Sequence, residues 1–445
     1  MPTLVFYADT LSQWSVVSPL LSTIPERFKI EIIAGPPVAE RAKQAFPDSI
    51  HHATFVQGEN ARSIYPLLYF TKQFNYETYR THRSLLETRL RYYANLLARS
   101  RASAVVVGED GISGEIWLVR AARTLGIPVF ILPYEASGKE DFINVLRAKK
   151  RENNLVIHTD RQQSFLKSIG ESKWLTTFEG ETVSIYGLEY ITALHDVGFR
   201  IPEPWTTHGG EADILLSESF GMTAFYKDEG LPAKKLKQTG SPYDDAIASQ
   251  FKVNVANQFA YDNCTKISRE GTSVLVSLPP DYDSERSHLS DFESYAAMCQ
   301  SMQSAFGVGV NKLTIMVHPA YHSQEHAPES GGTQIEFSRG WVLNSIPAHD
   351  IYLTCGSSTL RWAVAARKAA INFDFYRFQL KFFDRLPGLK QFEESNECFG
   401  FVRKLTDDHE FYSSHIQNNA AEAQQWAYLD GQCSNRILAA ISDTV

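Results

Sequence analysis

Short apolar runs recur along this chain, each closed by a glycine, a proline or an acid. The first half holds "TLVFYAD", "FKIEIIAG", "ASAVVVGEDG" and "IPVFILPY"; the second holds "ADILLSES", "TSVLVSLPP", "KLTIMVHPA", "DIYLTCGSS" and "AAINFDFY". Between the early ones lie segments of helical spacing, "SQWSVVSPLLSTIP", "AERAKQAF", Tyr76 to Arg99 and "GEIWLVRAARTLG". Continuous apolar runs, rather than alternating ones, are strands covered on both faces. Strands of that kind separated by crossover helices form a parallel, doubly wound sheet. A chain of 445 residues exceeds one compact core, so two such domains are expected. The proline- and glycine-rich "GFRIPEPWTTHGGEAD" predicts the hinge. That divides the chain into domains at 1–205 and 206–405, with terminal helices over 406–445.

Composition narrows the class. With 43% hydrophobic and 21% charged residues the chain is globular, and a net charge of −8 argues against a nucleic-acid partner. The basic clusters Arg147 to Arg151 and Lys234 to Lys237 read first as solvated helix surface, with peripheral docking on an anionic membrane as a second use. Five cysteines are scattered without CxxC spacing, which predicts reduced thiols in the cytoplasm and neither a disulfide frame nor structural zinc. The "MPTLVFYADT" start has no basic n-region, and no apolar run reaches the roughly 20 residues a membrane helix needs. The expected location is the cytoplasm, at the inner face of the membrane if docking occurs.

Ligands of open parallel sheets bind beyond the carboxyl ends of the strands. Here those positions carry Asp9, Glu109 with Asp110, Glu135, Glu218, Asp245, His318, Ser357 with Ser358, and Asp374. In "GEDG", Gly111 eases a tight turn; one carboxylate suits backbone amides and the other suits a general base, against the simpler reading of a helix cap. In "MVHPAYH", Pro319 holds His318 extended, where an imidazole can meet a phosphate. His318, His322 and His326 lack a supporting carboxylate pattern, so no metal is expected there. In "LTCGSSTLRW", Gly356, Ser357, Ser358 and Thr359 aim amides and hydroxyls at one point, an anion site that doubles as a helix cap. "QTGSPYDD" offers Asp244 and Asp245, and "INFDFY" offers Asn372 and Asp374 for a ribose or base. Asp281 and Asp283 in "PDYD" have DxD spacing, which is common by chance. No P-loop, dinucleotide fingerprint or Gly-x-Ser-x-Gly elbow occurs.

Taken in order, Glu109-Asp110-Gly111, His318-Pro319 and Ser357-Ser358 resemble the three-motif layout of bacterial GT-B sialyltransferases. The wider context, "VVGEDG…GIPVFILPYEASGKE…ILLSES…TGSPYDD…NFDFY", is similar to the β-Kdo transferases of capsule and lipopolysaccharide synthesis. The resemblance implies a GT-B fold, two Rossmann-like α/β domains facing across a cleft. It also implies transfer of a ulosonic acid from a CMP-linked donor to a bacterial glycan or glycolipid acceptor, without a cofactor or metal. Asp110 or Glu109 would be the acid or base. His318, Pro319, Gly356, Ser357, Ser358, Thr359 and Asp374 would hold the nucleotide. The β-Kdo likeness favours retention through a covalent adduct, with Asp245 as nucleophile and Asp244 as its rival; the sialyltransferase likeness implies inversion. The alternatives are a UDP-sugar-dependent GT-B transferase or 2-epimerase-like enzyme, and a polyol-phosphate transferase using CDP-glycerol.

Overall fold

The computed structural model describes residues 1–54, 74–111, 115–136, 138–251, 272–279, 287–306, 310, 312–317, 335–338 and 341–445. They form two compact units. One comprises Met1–Ser217, Thr223–Thr239 and Asn435–Val445; the other comprises Glu218–Met222 and Gly240–Ser434.

The first unit is built on seven parallel strands. In chain order these are β1 (Thr3–Ala8), β2 (Lys29–Ala34), β3 (Ile50–Ala53), β4 (Ala102–Val107) and β5 (Val129–Ile131), then two that follow an insertion. The insertion carries a small antiparallel sheet of β6 (Val156–Ile157), β7 (Thr176–Phe178) and β8 (Glu181–Ser184). β9 (Ile214–Ser217) and β10 (Leu236–Gln238) then complete the large sheet in the order β10-β9-β5-β4-β1-β2-β3. The "VVV" of β4 is fully buried, as a strand covered on both faces requires. The helix Tyr76–Ser100 buries Tyr79, Leu86, Arg89, Tyr93, Leu96 and Leu97, a stripe spaced by three, four and seven that sets Arg89 on the inner face.

The division at 205 is corrected by the strand pairing. β9 lies beside β5, with Phe130 opposite Ile214, so "ADILLSES" belongs to the first sheet and the preceding antiparallel sheet is an excursion from it. The segment read as a hinge is interior: Thr206, Thr207 and His208 are at most 3% exposed. Its glycines allow close backbone approach. A Cβ on Gly209 would stand 1.8 Å from the Glu203 carbonyl oxygen, and one on Gly210 would stand 1.7 Å from that of Asp110. The terminal segment is also shared, since 406–434 lie in the second unit and Asn435–Val445 in the first.

The second unit has six parallel strands: β11 (Ser273–Ser277), β12 (Lys312–Met316), β13 (Ile335–Ser338), β14 (Ile351–Thr354), β15 (Ala369–Phe373) and β16 (Lys390–Phe392). Their order is β13-β12-β11-β14-β15-β16. Val276, Leu313, Leu353, Ile371 and Phe373 from this sheet pack with Met298, Met302, Phe306, Phe399 and Val402 from its helices. No helix among the described residues is long and apolar enough to cross a membrane.

Each order reverses direction once, between β1 and β4 in the first sheet and between β11 and β14 in the second. At such a point neighbouring crossovers leave toward opposite faces, and the strand ends between them open a crevice. Asp9 and Glu109 follow β1 and β4; Gly356 to Ser358 follow β14. The chemistry-bearing turns therefore stand at the two places where topology provides room.

Candidate functional site

In the first unit, adjacent parallel strands β1, β4 and β5 deliver Asp9, Glu109 and Glu135 to one edge. Gly108 keeps that edge open: a Cβ there would press 2.8 Å from the Tyr134 ring and 3.1 Å from Gln13 Cγ. The Tyr134 hydroxyl donates to Glu109 Oε1. Glu109 also shares a hydrogen bond with Glu135, and burial, then the Glu109 charge, push the Glu135 carboxyl up to about 8. Two carboxyl groups hydrogen-bond to each other when one of them carries a proton, and Glu135, raised to about 8, is the one that carries it at neutral pH.

Glu115 joins the same cluster. Burial pushes it up to about 7 against a hydrogen bond from Tyr7, with Asp9, Arg89 and Glu109 within electrostatic reach. Asp9 is raised by burial, and a hydrogen bond from Tyr7 and the charge of Arg89 oppose the rise. Arg89, from the long helix, lies 4.2 Å over the Trp117 ring. The result is a set of buried carboxyl groups and phenols around one guanidinium, with Glu115 and Glu135 raised toward neutrality, suited to moving a proton to or from a bound hydroxyl.

A stability consequence follows from the raised values. Glu135 and Glu115 keep their protons in the fold at pH values where the unfolded chain, titrating near 4.5, has lost them. Their contribution is fully present below that unfolded value and fades as pH rises through about 7 and 8. Urea midpoints of the wild type are expected to fall between pH 5 and 9, and Glu135→Gln to flatten the fall. An equally steep slope in the variant would show that Glu135 is not its source.

Asp110 occupies a different environment from its neighbour. At 1% exposure, it accepts from Lys235 Nζ at 2.7 Å, Ala212 N at 2.8 Å and Gly210 N at 3.2 Å. Lys235 also donates to the carbonyls of His208 and Gly210. Gly111 donates its N–H to Thr207 O at 2.8 Å, and a Cβ there would stand 2.3 Å from that oxygen; close approach, rather than a left-handed turn, demands the glycine. The Asp110 oxygens tie β4 to the 206–212 loop, and Glu109 is the member of the pair that stands with Tyr134 and Glu135.

Asp244 and Asp245 are likewise bound up. Asp244 is fully buried, accepts from Trp362 Nε1 at 2.7 Å, Tyr428 N at 2.9 Å and Ser241 N at 3.2 Å, and is pushed up to about 7 by burial. Asp245 takes the N–H groups of Cys433 and Ser434 at 2.9 and 2.7 Å, capping the helix Cys433–Ser442. The nucleophile expected at Asp245 is thus placed as a helix cap. Asp245, Asp430 and Cys433 bring ligand atoms within 4.8 Å of one another, the sole such group among the described residues. Cys433 Sγ donates to Tyr428 O at 3.2 Å, and the Asp245 oxygens already serve the helix, so the trio reads as a capping knot.

In the second unit, Gly356 has φ +62°, a left-handed conformation that favours glycine, and Asn372 Oδ1 receives its N–H at 2.9 Å. The hydroxyls of Ser357 and Thr359 lie 2.7 Å apart, and Thr359 also meets Tyr352 Oη at 2.6 Å. Ser358 is half-buried, and among the described residues its side chain has no partner. Asp374 accepts from Phe378 N and Gln379 N at 2.9 and 2.6 Å and holds a turn in which Arg377 and Gln379 are left-handed. It lines a cavity of about 330 Å³ with Gln379, Asp384, Gln391 and Glu393. His318 and Pro319 lie outside the described residues, as do His322, His326, Asp281 and Asp283.

Glu115 and Tyr7 carried no signal in the sequence, because one precedes a helix and the other lies within an apolar strand. Glu135 was visible as a strand-end acid, but its pairing with Glu109 depends on β4 and β5 being neighbours.

No protein-family model and no curated protein matches the sequence. Solved structures do match. The calicheamicin glycosyltransferase CalG4 is 11% identical, covering 99% of this chain and 98% of its own, with a TM-score of 0.56. S. aureus MnaA with UDP is 12% identical over 99% and 96%, TM-score 0.53. The Neisseria meningitidis UDP-GlcNAc 2-epimerase bound to UDP-GlcNAc is 10% identical over all of both chains, TM-score 0.52. The fold is GT-B. At such identities the likeness extends to architecture, and a GT-B chain with two Rossmann-like units is what the strand orders describe.

Proposed function

We propose that this GT-B chain is a nucleotide-sugar-dependent glycosyltransferase whose first unit supplies the acid–base chemistry. The observation that carries the reading is the proton-sharing pair of Glu109 and Glu135 at the ends of adjacent strands. A sugar hydroxyl titrates far above neutrality, so its attack on an activated sugar needs a carboxylate to receive the proton as the new bond forms. The second unit contributes the half-buried Ser357-Ser358 turn at its switch point as the phosphate grip.

The donor proposed from the motifs is a CMP-linked ulosonic acid, passed to a bacterial surface glycan. Its single phosphate needs no bridging metal, and one hydroxyl-bearing turn can hold it. A UDP-sugar is the second reading, favoured by the UDP and UDP-GlcNAc of the MnaA and N. meningitidis structures. In that reading the carboxyl cluster serves epimerisation as readily as transfer.

Thermal shift of the full chain with CMP, CDP, UMP and UDP separates the two readings. A ligand at 100 times its Kd raises stability by about 2.7 kcal/mol. Selective stabilisation by CMP is expected. Stabilisation by UDP alone would exchange the donor class, and silence toward all four would remove the nucleotide-sugar reading.

A further inference from the structure

Arg361 is a charge in the interior of the second unit. Its side chain is 0% exposed and pairs through Nη1 with Glu218 Oε1 at 2.8 Å, with Glu218 itself 2% exposed. The guanidinium carbon stands 3.9 Å over the Trp362 ring. Nε and Nη2 are buried and, among the described residues, have no hydrogen-bond partner.

Those two atoms are not an arbitrary remainder. Nε–H and the adjacent Nη2–H point the same way and form the side-on edge of the guanidinium, the edge whose spacing matches two oxygens of a carboxylate or phosphate. Glu218 occupies the other end of the fork. A buried donor left unmatched forfeits its hydration without recompense, and buried polar groups are nearly always paired. A structural ion pair would be expected to turn its bidentate edge toward its own carboxylate, and this one leaves that edge unused.

The place of Arg361 in the chain bears on what fills the edge. Its backbone N–H donates to Ser358 O at 3.3 Å, which sets the residue one turn beyond the half-buried Ser358. Lysine could pair with Glu218 in this position but has no such edge; the residue is arginine.

We propose that the Nε/Nη2 edge of Arg361 is a binding site for a two-oxygen oxyanion, the phosphate of the nucleotide donor, acting with the Ser357-Ser358 turn. The proposal rests on the nucleotide-sugar reading for the identity of its ligand. A ulosonic carboxylate offers the same pair of oxygens, so the test includes both sources. Glu218 holds the guanidinium plane in place while the free edge takes the anion.

The test uses the full chain. The ¹⁵Nε–¹H resonance of Arg361, assigned by its loss in Arg361→Lys, is followed while CMP, UDP, cytidine, uridine, inorganic phosphate and a free ulosonic acid are added separately. The resonance is expected to move with the nucleotide that binds and to stay still with the nucleosides. By calorimetry, Arg361→Lys is expected to weaken that nucleotide at least tenfold. Movement with the ulosonic acid alone would assign the edge to the sugar carboxylate instead of the phosphate. If no nucleotide binds but phosphate moves the signal, the oxyanion site stands and the nucleotide-sugar reading falls. A nucleotide that binds wild type without moving the signal, or binds Arg361→Lys equally well, overturns the proposal. A signal unmoved by every anion also overturns it. If the variant does not fold, the resonance is assigned in the wild type by through-bond correlation from the Arg361 backbone, and the wild-type titration still decides the outcome.

Discussion

In Glu109→Gln, transfer is expected to fall by about 10²–10⁴-fold, the span that a positioned acid or base supplies. The glutamine is nearly isosteric and still accepts the Tyr134 hydroxyl, so the geometry of the β4–β5 edge survives. What it loses is the ability to take a proton. Glu135→Gln is expected to be comparably damaged in turnover, because the shared proton disappears with either partner. Nucleotide affinity is expected to persist in both variants, since the Ser357-Ser358 turn belongs to the other unit. The measurement is kcat beside the Kd of the nucleotide. Full turnover in either glutamine variant would take that residue out of the chemistry.

Lys235→Ala is expected to be the most destabilising of the changes considered. The Lys235–Asp110 pair is 7% and 0% exposed, and removing one partner of a buried ion pair costs about 3–5 kcal/mol because the other charge is left unpaired. The loss is compounded by the carbonyls of His208 and Gly210, which Lys235 also serves. Asp110→Asn combined with Lys235→Met removes both charges and is expected to recover part of the deficit. Urea denaturation of the two variants beside wild type measures this. A loss under about 1 kcal/mol in Lys235→Ala would mean the pair is incidental to stability.

The roles of Asp110 and Glu109 show where sequence reading stops. The two are adjacent at the same strand end, and no local rule distinguishes them. Lys235 is 125 residues away and Glu135 is 26; which acid meets which is decided by how β9, β5 and β4 line up. The misplaced hinge has the same origin. Prolines and glycines mark irregular backbone whether it is a linker or an interior loop, and here Gly209 and Gly210 serve close approach to Glu203 and Asp110. In "GSPYDD" the acids were legible as a strand-end feature. Their use as ties to Trp362, Tyr428, Cys433 and Ser434 depends on contacts more than a hundred residues distant.

The chain's own pattern of buried apolar runs and crossover helices determined the class of the fold and where polar side chains would emerge. A strand covered on both faces leaves polar residues few positions other than its ends. Which of those ends gather into a carboxyl cluster and which are tied to distant backbone was decided by tertiary packing. A carboxylate's protonation and reach depend on the charge, burial and amides that distant segments bring beside it, and these come into being only when the sheet assembles.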